Sequence, residues 1–382
     1  MALTLTKIGI TTGNTIEAYH VTQSIDAFTS AVAYDISLTG SFTVTGSISN
    51  GVSNNASGLN SHAEGQFNTS SGAYSHAEGY LTLSSGSYSH VEGYSSIAKG
   101  QYSHAEGTST TSIGDYSHTE GYQTSSPGNY SHAEGSFTIA PGQSAHSEGY
   151  FTSASGDYSH AEGSQTTSSG QYSHAEGIST RAVGIGSHAE GSSSLASGNG
   201  SHAQGSQTTA SGQFSFAAGV QNKSLSIGSF ALGLQSVANG QYSTSIGYLS
   251  YAAGISSFAA GYSTSASGQY SFAIGDTTNA LGYSSFTQGG GTIASGSYQA
   301  VLGTHNTQGD STSTLIVGIG LTAVSRKDAF KVRMSGSIVL PTTQSSQPAW
   351  TGTDGEMIFA TVTGNHIFYV WMAGAWRSGS LV

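Results

Sequence analysis

A pentapeptide, Ser-His-Ala-Glu-Gly or a near variant, recurs every fourteen residues along most of this chain. It begins at Ser61, Ser75, Ser89, Ser103, Ser117 and Ser131, continues at Ala145, and goes on at Ser159, Ser173, Ser187 and Ser201. The phase then survives a change of side chains, from Ser215-Phe216-Ala217-Ala218-Gly219 and Ser229-Phe230-Ala231-Leu232-Gly233 to Gln299-Ala300-Val301-Leu302-Gly303. The closing Gly is present at all 18 positions from Gly65 to Gly303. A second Gly lies half a period away, from Gly58 to Gly296, and fails only at Ser226. These two phases hold 35 of the 54 glycines, so each repeat is one structural unit stacked on its neighbours.

Two glycines seven residues apart divide each repeat into two short segments. Each has room for a strand of about four or five residues and a tight turn, for which Gly supplies positive φ. Helices this short and this rich in Gly, Ser and Thr are marginal. The pattern therefore predicts an all-β solenoid of 14-residue coils, stacked at the strand spacing of about 4.8 Å.

Alternation along a strand sorts the motif into two faces. Ser, Ala and Gly share one, which is small enough to fill a narrow coil; His and Glu share the other. The returning segment adds further small residues, among them Ala98, Ala140, Ala154, Ala196, Ala210, Ala238, Ala252 and Ala266. Composition agrees, since the chain is only 36% apolar and 8% charged. A coil filled with Ala and Ser buries little apolar area and needs a second surface. From Phe216 onward the outer face turns to Phe, Leu and Ile, which reads as a subunit interface.

Eleven histidines and ten glutamates line the outer face of the earlier repeats. Two readings compete for them. His62, Glu64, His76, Glu78, His104 and Glu106 are the representative candidates for a metal or acid–base site. The favoured reading is a polar interface, because the same positions become Phe and Ile without a break in register. A network of this kind should respond to pH near 6.5, where His titrates, with a sign that the residues leave open. Tyrosines form two further rows, one at Tyr74, Tyr88, Tyr102, Tyr116, Tyr130, Tyr158 and Tyr172, the other at Tyr80, Tyr94, Tyr122 and Tyr150. They are read as cross-coil ladders before sugar-stacking platforms.

The register of small–X–small–X–Gly every fourteen residues resembles the head repeats of YadA-like trimeric adhesins, over roughly residues 58–303. The Ser-His-Ala-Glu-Gly variants are similar to those of phage and prophage fibre proteins. The resemblance implies a left-handed parallel β-roll, three chains about a threefold axis, and the X positions facing that axis. The implied trimer interface is then His62, Glu64, His76, Glu78, His90, Glu92, His104, Glu106, His118, Glu120, His132, Glu134, His160, Glu162, His174, Glu176, His188 and Glu190. Phe216, Phe230, Leu232, Ile246, Phe258, Phe272, Ile274 and Phe286 continue it.

The flanks differ. Residues 1–57 are read as a β-rich attachment region, on the alternating run from Ile36 to Ser47. Residues 304–340 are read as a β transition segment, and 341–382 as a small β tip domain holding all three Trp. Trp350, Tyr369, Trp371 and Trp376 are its candidate receptor contacts.

The net charge of −11 and nine scattered cations argue against nucleic acid as a partner. No Cys is present, no apolar run suggests membrane insertion, and no signal peptide is evident at the N-terminus. The C-terminal residues, Arg377-Ser378-Gly379-Ser380-Leu381-Val382, do not match the membrane anchor of the bacterial adhesins. The expectation is a non-enzymatic homotrimeric fibre of a phage virion, without a cofactor, made in the host cytoplasm. It would be joined to other virion proteins through one terminus and would mediate attachment to a host-surface glycan or protein. The alternatives are a passive spacer or decoration of capsid, collar or baseplate, a bacterial surface adhesin, and a glycan-cleaving or self-cleaving fibre.

Overall fold

The computed structural model describes residues 46–339, the backbone of the strands Leu3–Thr4 and Tyr34–Asp35, and that of Met357–Val362, Asn365–Met372 and Ala375–Ser380, with side chains at 370 and 375–378. The run from 36 to 45 and Trp350 lie outside the described residues.

Between residues 48 and 319 the chain winds as a parallel β-solenoid. Most coils hold one five-residue strand on the motif, such as His62–Gln66, and one two-residue strand, such as Thr69–Ser70; the motif strand shortens to His90–Val91 in one coil, and Ile139 makes only single bridges in another. Along the motif strands each residue pairs with its equivalent fourteen positions on: His104 with His118, Ala105 with Thr119, Glu106 with Glu120 and Gly107 with Gly121. The short strands form a second ladder in the same register, as Thr111 with Ser125. This second segment is shorter than its seven residues allow, because two corners consume the rest. At those corners Phe67 and Tyr74 adopt φ of 61° and 59°, and the same two columns are left-handed in coil after coil. Each corner N–H donates to the coil before, Tyr74 N to Leu59 O at 2.7 Å and Phe67 N to Val52 O at 2.9 Å.

Neither glycine phase has room for a Cβ, which at Gly65 would overlap the carbonyl oxygen of Gly79, and the first phase carries a second requirement. Gly65 has φ of +103°, a conformation open to Gly. Gly72 does not; a Cβ there would overlap the carbonyl oxygen of Gly86 in the next coil. The second phase is thus set by the closeness of successive backbones. Ser226, the one departure from it, sends its hydroxyl to Asn239 O at 2.6 Å.

Inside the roll, Ala63, Ala77, Ala105, Ala133 and their equivalents are fully buried, with Ser and Thr between them. Some buried hydroxyls find partners across the narrow core, as Ser70 Oγ lies 2.6 Å from Ser75 Oγ and Ser75 Oγ donates to Gly72 O at 2.7 Å, whereas others, such as those of Ser201, Ser215 and Ser257, have none. Pro127 and Pro141 fit at a corner because the next Gly N–H takes up the carbonyl in question, as Gly128 N does with Ala140 O at 3.2 Å.

The ladder starts at Ile48–Val52, which pairs with His62–Gln66, inside the segment read as an attachment region. At the other end the period widens, since Ala300 pairs with Leu315. There the buried Gln299 replaces the motif Ser and bonds Ser295 N and Ser313 O, each at 2.8 Å. Asp328–Arg333 then runs antiparallel to Ser313–Ile319 and ends the parallel stack. Lys331 fastens this hairpin between Asp310 at 3.0 Å and Asp328 at 2.7 Å. The last three strands form an antiparallel meander. No helix occurs among the described residues.

Candidate functional site

The pleat decides which side chains face outward. Ser61 and Ala63 are buried, so His62 and Glu64 project from the roll, and the register repeats this at every coil. The eleven imidazoles from His62 to His202 make one continuous stack, with ring centroids 4.6–4.9 Å apart. The glutamates follow as a parallel column, with Glu106, Glu120, Glu134, Glu148 and Glu162 paired in sequence.

The two columns lean on each other. Nε2 of His62, His76 and His104 lies 3.4, 3.7 and 3.8 Å from the carboxylates of Glu64, Glu78 and Glu106. His132, His146 and His160 face Glu134, Glu148 and Glu162 in the same way, at 3.7–3.9 Å. Then the partner changes: His174, His188 and His202 face Glu162, Glu176 and Glu190 of the preceding coil, at 3.6–3.9 Å. All these distances exceed a hydrogen bond. From His76 to His202 each Nε2 atom is buried without a hydrogen-bond partner, although the imidazoles measured beside a carboxylate remain 34–37% exposed.

Crowding moves the titrations. Burial holds His76, His104, His132, His160 and His202 below the ordinary imidazole range, and neighbouring imidazoles lower them further. The carboxyls split, because two that lie one coil apart hydrogen-bond through one proton. Hydrogen bonding to Glu92, then burial, pushes Glu106 up to about 7, while the bond from Glu106 holds Glu92 down. Glu148 is likewise pushed up to about 7 by Glu162 and then Glu134, and hydrogen bonds hold Glu134 and Glu176 below the carboxylate range. Burial, then its bond with Glu92, raises Glu78. Glu148, Glu162, Glu176, Glu190 and Gln204 line an open groove of about 600 Å³ with the motif glycines as its floor.

The chemistry changes at one step. His202 meets Phe216 edge-on at 5.3 Å and 80°, and Phe216 then stacks on Phe230 at 5.0 Å. Thr244 interrupts the column, and Phe258, Phe272 and Phe286 resume it, while Leu232, Ile246 and Ile274 stand where Glu stood. These Phe are half-buried and Leu232 is exposed.

Tyr74, Tyr88, Tyr102, Tyr116 and Tyr130 stack at 4.9–5.0 Å with planes within 8°. Ring faces cover one another and ring edges meet solvent, a geometry for a cross-coil ladder more than for a sugar platform. Of the other expected contacts, Tyr369 pairs with Ile358, and Trp371 with the buried Trp376. Two features escaped the sequence reading. Gln207, Gln221 and Gln235 join amide to amide at 2.8 Å, a row that their spacing of fourteen could have disclosed. The Asp310–Lys331–Asp328 clasp spans 21 residues outside the repeat and left no periodic signal.

A parallel roll of 14-residue coils with small residues inside and a chemically variable outer face is the architecture of a solenoid head. The YadA head domain repeat (2 copies) matches residues 92–117, 196–222, 226–250 and 252–278, which include both the His and the Phe coils. Those segments thus match the YadA head domain repeat, and such repeats suggest a trimeric adhesin-type fibre. No curated protein matches the chain.

Proposed function

We propose that the chain is a homotrimeric, non-enzymatic fibre of a bacteriophage virion that mediates attachment to the host surface. The observation that carries this reading is the outer row of the later coils. Phe216, Phe230, Phe258, Phe272 and Phe286 stay half-buried in the single chain, on successive coils except where Thr244 takes the place between Phe230 and Phe258. Long apolar rows of this kind are covered by another subunit in a stable particle. The head repeats favour two further copies of the same chain as that cover, arranged as a left-handed roll about a threefold axis. The Ser-His-Ala-Glu-Gly form of the motif, similar to that of phage fibres, favours a virion over a bacterial surface. Residues 1–57 then attach to the particle, and 341–382 meet the host.

Sedimentation equilibrium of the full chain tests the assembly: three times 38.8 kDa is expected, and a monomer or dimer overturns it. For the attachment role, added chain should bind host cells and slow adsorption of the virion. A trimer that does neither is a spacer.

A further inference from the structure

We propose that the imidazole–carboxylate face binds divalent transition-metal ions of the zinc class, each held by the Nε2 atoms of two successive histidines and the carboxylate between them. The donors are already gathered: in His62, Glu64 and His76, as in His132, Glu134 and His146, one ligand atom from each lies within 4.8 Å of the others. Their spacing fits an ion better than a hydrogen bond. Two ligands bound at about 2.0–2.1 Å to a tetrahedral zinc stand roughly 3.4 Å apart, and Nε2 lies 3.4–3.9 Å from carboxylate oxygen along the ladder.

The electron pairs are also available. The Nε2 atoms from His76 to His202 have no hydrogen-bond partner. The carboxylate reaches either way, since Glu162 lies 3.9 Å both from its own coil's His160 and from His174 of the next. Among the described residues, no Lys or Arg pairs with a ladder glutamate, so the column of acids has no fixed countercharge. Two nitrogens and one oxygen select zinc, nickel or copper over magnesium and calcium, which take oxygen. Closing a site requires two rings stacked at 4.7–4.8 Å to tilt together, a rotation about a broad χ2 well. Neighbouring triads share a histidine, so eleven histidines taken in pairs allow five ions per chain.

The test uses the full chain, stripped with chelator and titrated calorimetrically with zinc chloride at pH 7.5, its assembly followed separately by sedimentation. Three to five zinc ions per chain are expected, with magnesium chloride giving none. Cobalt chloride should give the visible absorption of low-coordinate cobalt with nitrogen ligands. The variant H104F/H118F/H132F borrows the native side chain of the Phe216 coil and should lose one or two ions. Fewer than one zinc per chain, equal uptake of magnesium, or undiminished zinc in the folded variant overturns the proposal. If the variant fails to fold, an octahedral, oxygen-only cobalt spectrum of the natural chain overturns it alone. Sites elsewhere, at His305 for example, would survive the substitution and be recognised by that.

Discussion

The coils from His62 to Ser206 and those from Phe216 to Gly290 share a backbone and differ in what they show to the outside. Register is the same in both: Glu106 faces Glu120 as Leu232 faces Ile246. The inner rows are equally small, with Ala105 and Ala259 both fully buried. Yet one outer face is a column of imidazole and carboxylate and the other a column of phenyl and aliphatic groups. The roll is therefore specified from within, by the glycines and the Ala and Ser filling, and its outer face is free to take another chemistry.

The harshest test of that separation is a Cβ between coils. Gly100→Ala and Gly254→Ala each drive a methyl into a neighbouring backbone carbonyl. Each should cost about 4 kcal/mol or prevent folding, and the two should match in urea unfolding. A large difference between them would mean that the outer face shares in holding the coil.

Exchanging the outer face should be far milder. H104F/E106A copies the native Phe216 and Ala218 into the polar half and should cost less than about 1 kcal/mol. Glu106→Ala alone leaves the half-buried polar ring of His104 beside a methyl group, which the double change replaces with an apolar ring, and should cost more than the double change. A double change worse than the single one, read from thermal melts, would show that the ladder is needed for the coil itself.

The smallest effect is that of pH on the metal-free chain, and its direction follows from the shifts. Imidazoles held low in the fold contribute stability above about 6.5, and it drains as acid protonates the unfolded chain first. Glu106 and Glu148 act oppositely: their contribution is whole below the ordinary Glu range and is lost as pH rises through about 7. His160 and His202 are both held low in a stretch that contains neither Glu106 nor Glu148, so hydrogen-exchange protection of His160–Ser206 should fall severalfold between pH 7.5 and 5.5, after correction for intrinsic rates. Protection of Phe216–Gly290 should stay level. Parallel changes in both halves would remove the ladder as the cause.

Much of this was legible in the sequence because a repeat states the same constraint many times. The period gave the register, the alternation at Ser61-His62-Ala63-Glu64 gave the two faces, and the change at Phe216 marked the junction. What stayed hidden depends on distances. Sequence reasoning assigned every periodic Gly to a positive-φ turn, whereas Gly72 is there for space and Tyr74 itself takes the left-handed corner. Nor could it foresee that the carboxylates share protons with each other, or that the histidines change partners at His174. The first rung, Ile48–Val52, was missed because its strand reads Ile-Ser-Asn-Gly-Val and lacks the His and Glu that mark the others.

The edge-on meeting of His202 and Phe216 has a consequence for copies of the chain laid side by side. A uniform ladder has no memory of position, and a neighbour displaced by one whole coil would find almost the same surface. At this junction the displacement sets an imidazole against a phenyl column, and the mismatch grows with every further coil of slip. In the trimer proposed above, one change of lettering along an otherwise monotonous rod would thus work as an alignment mark, by which identical strands find the same starting line.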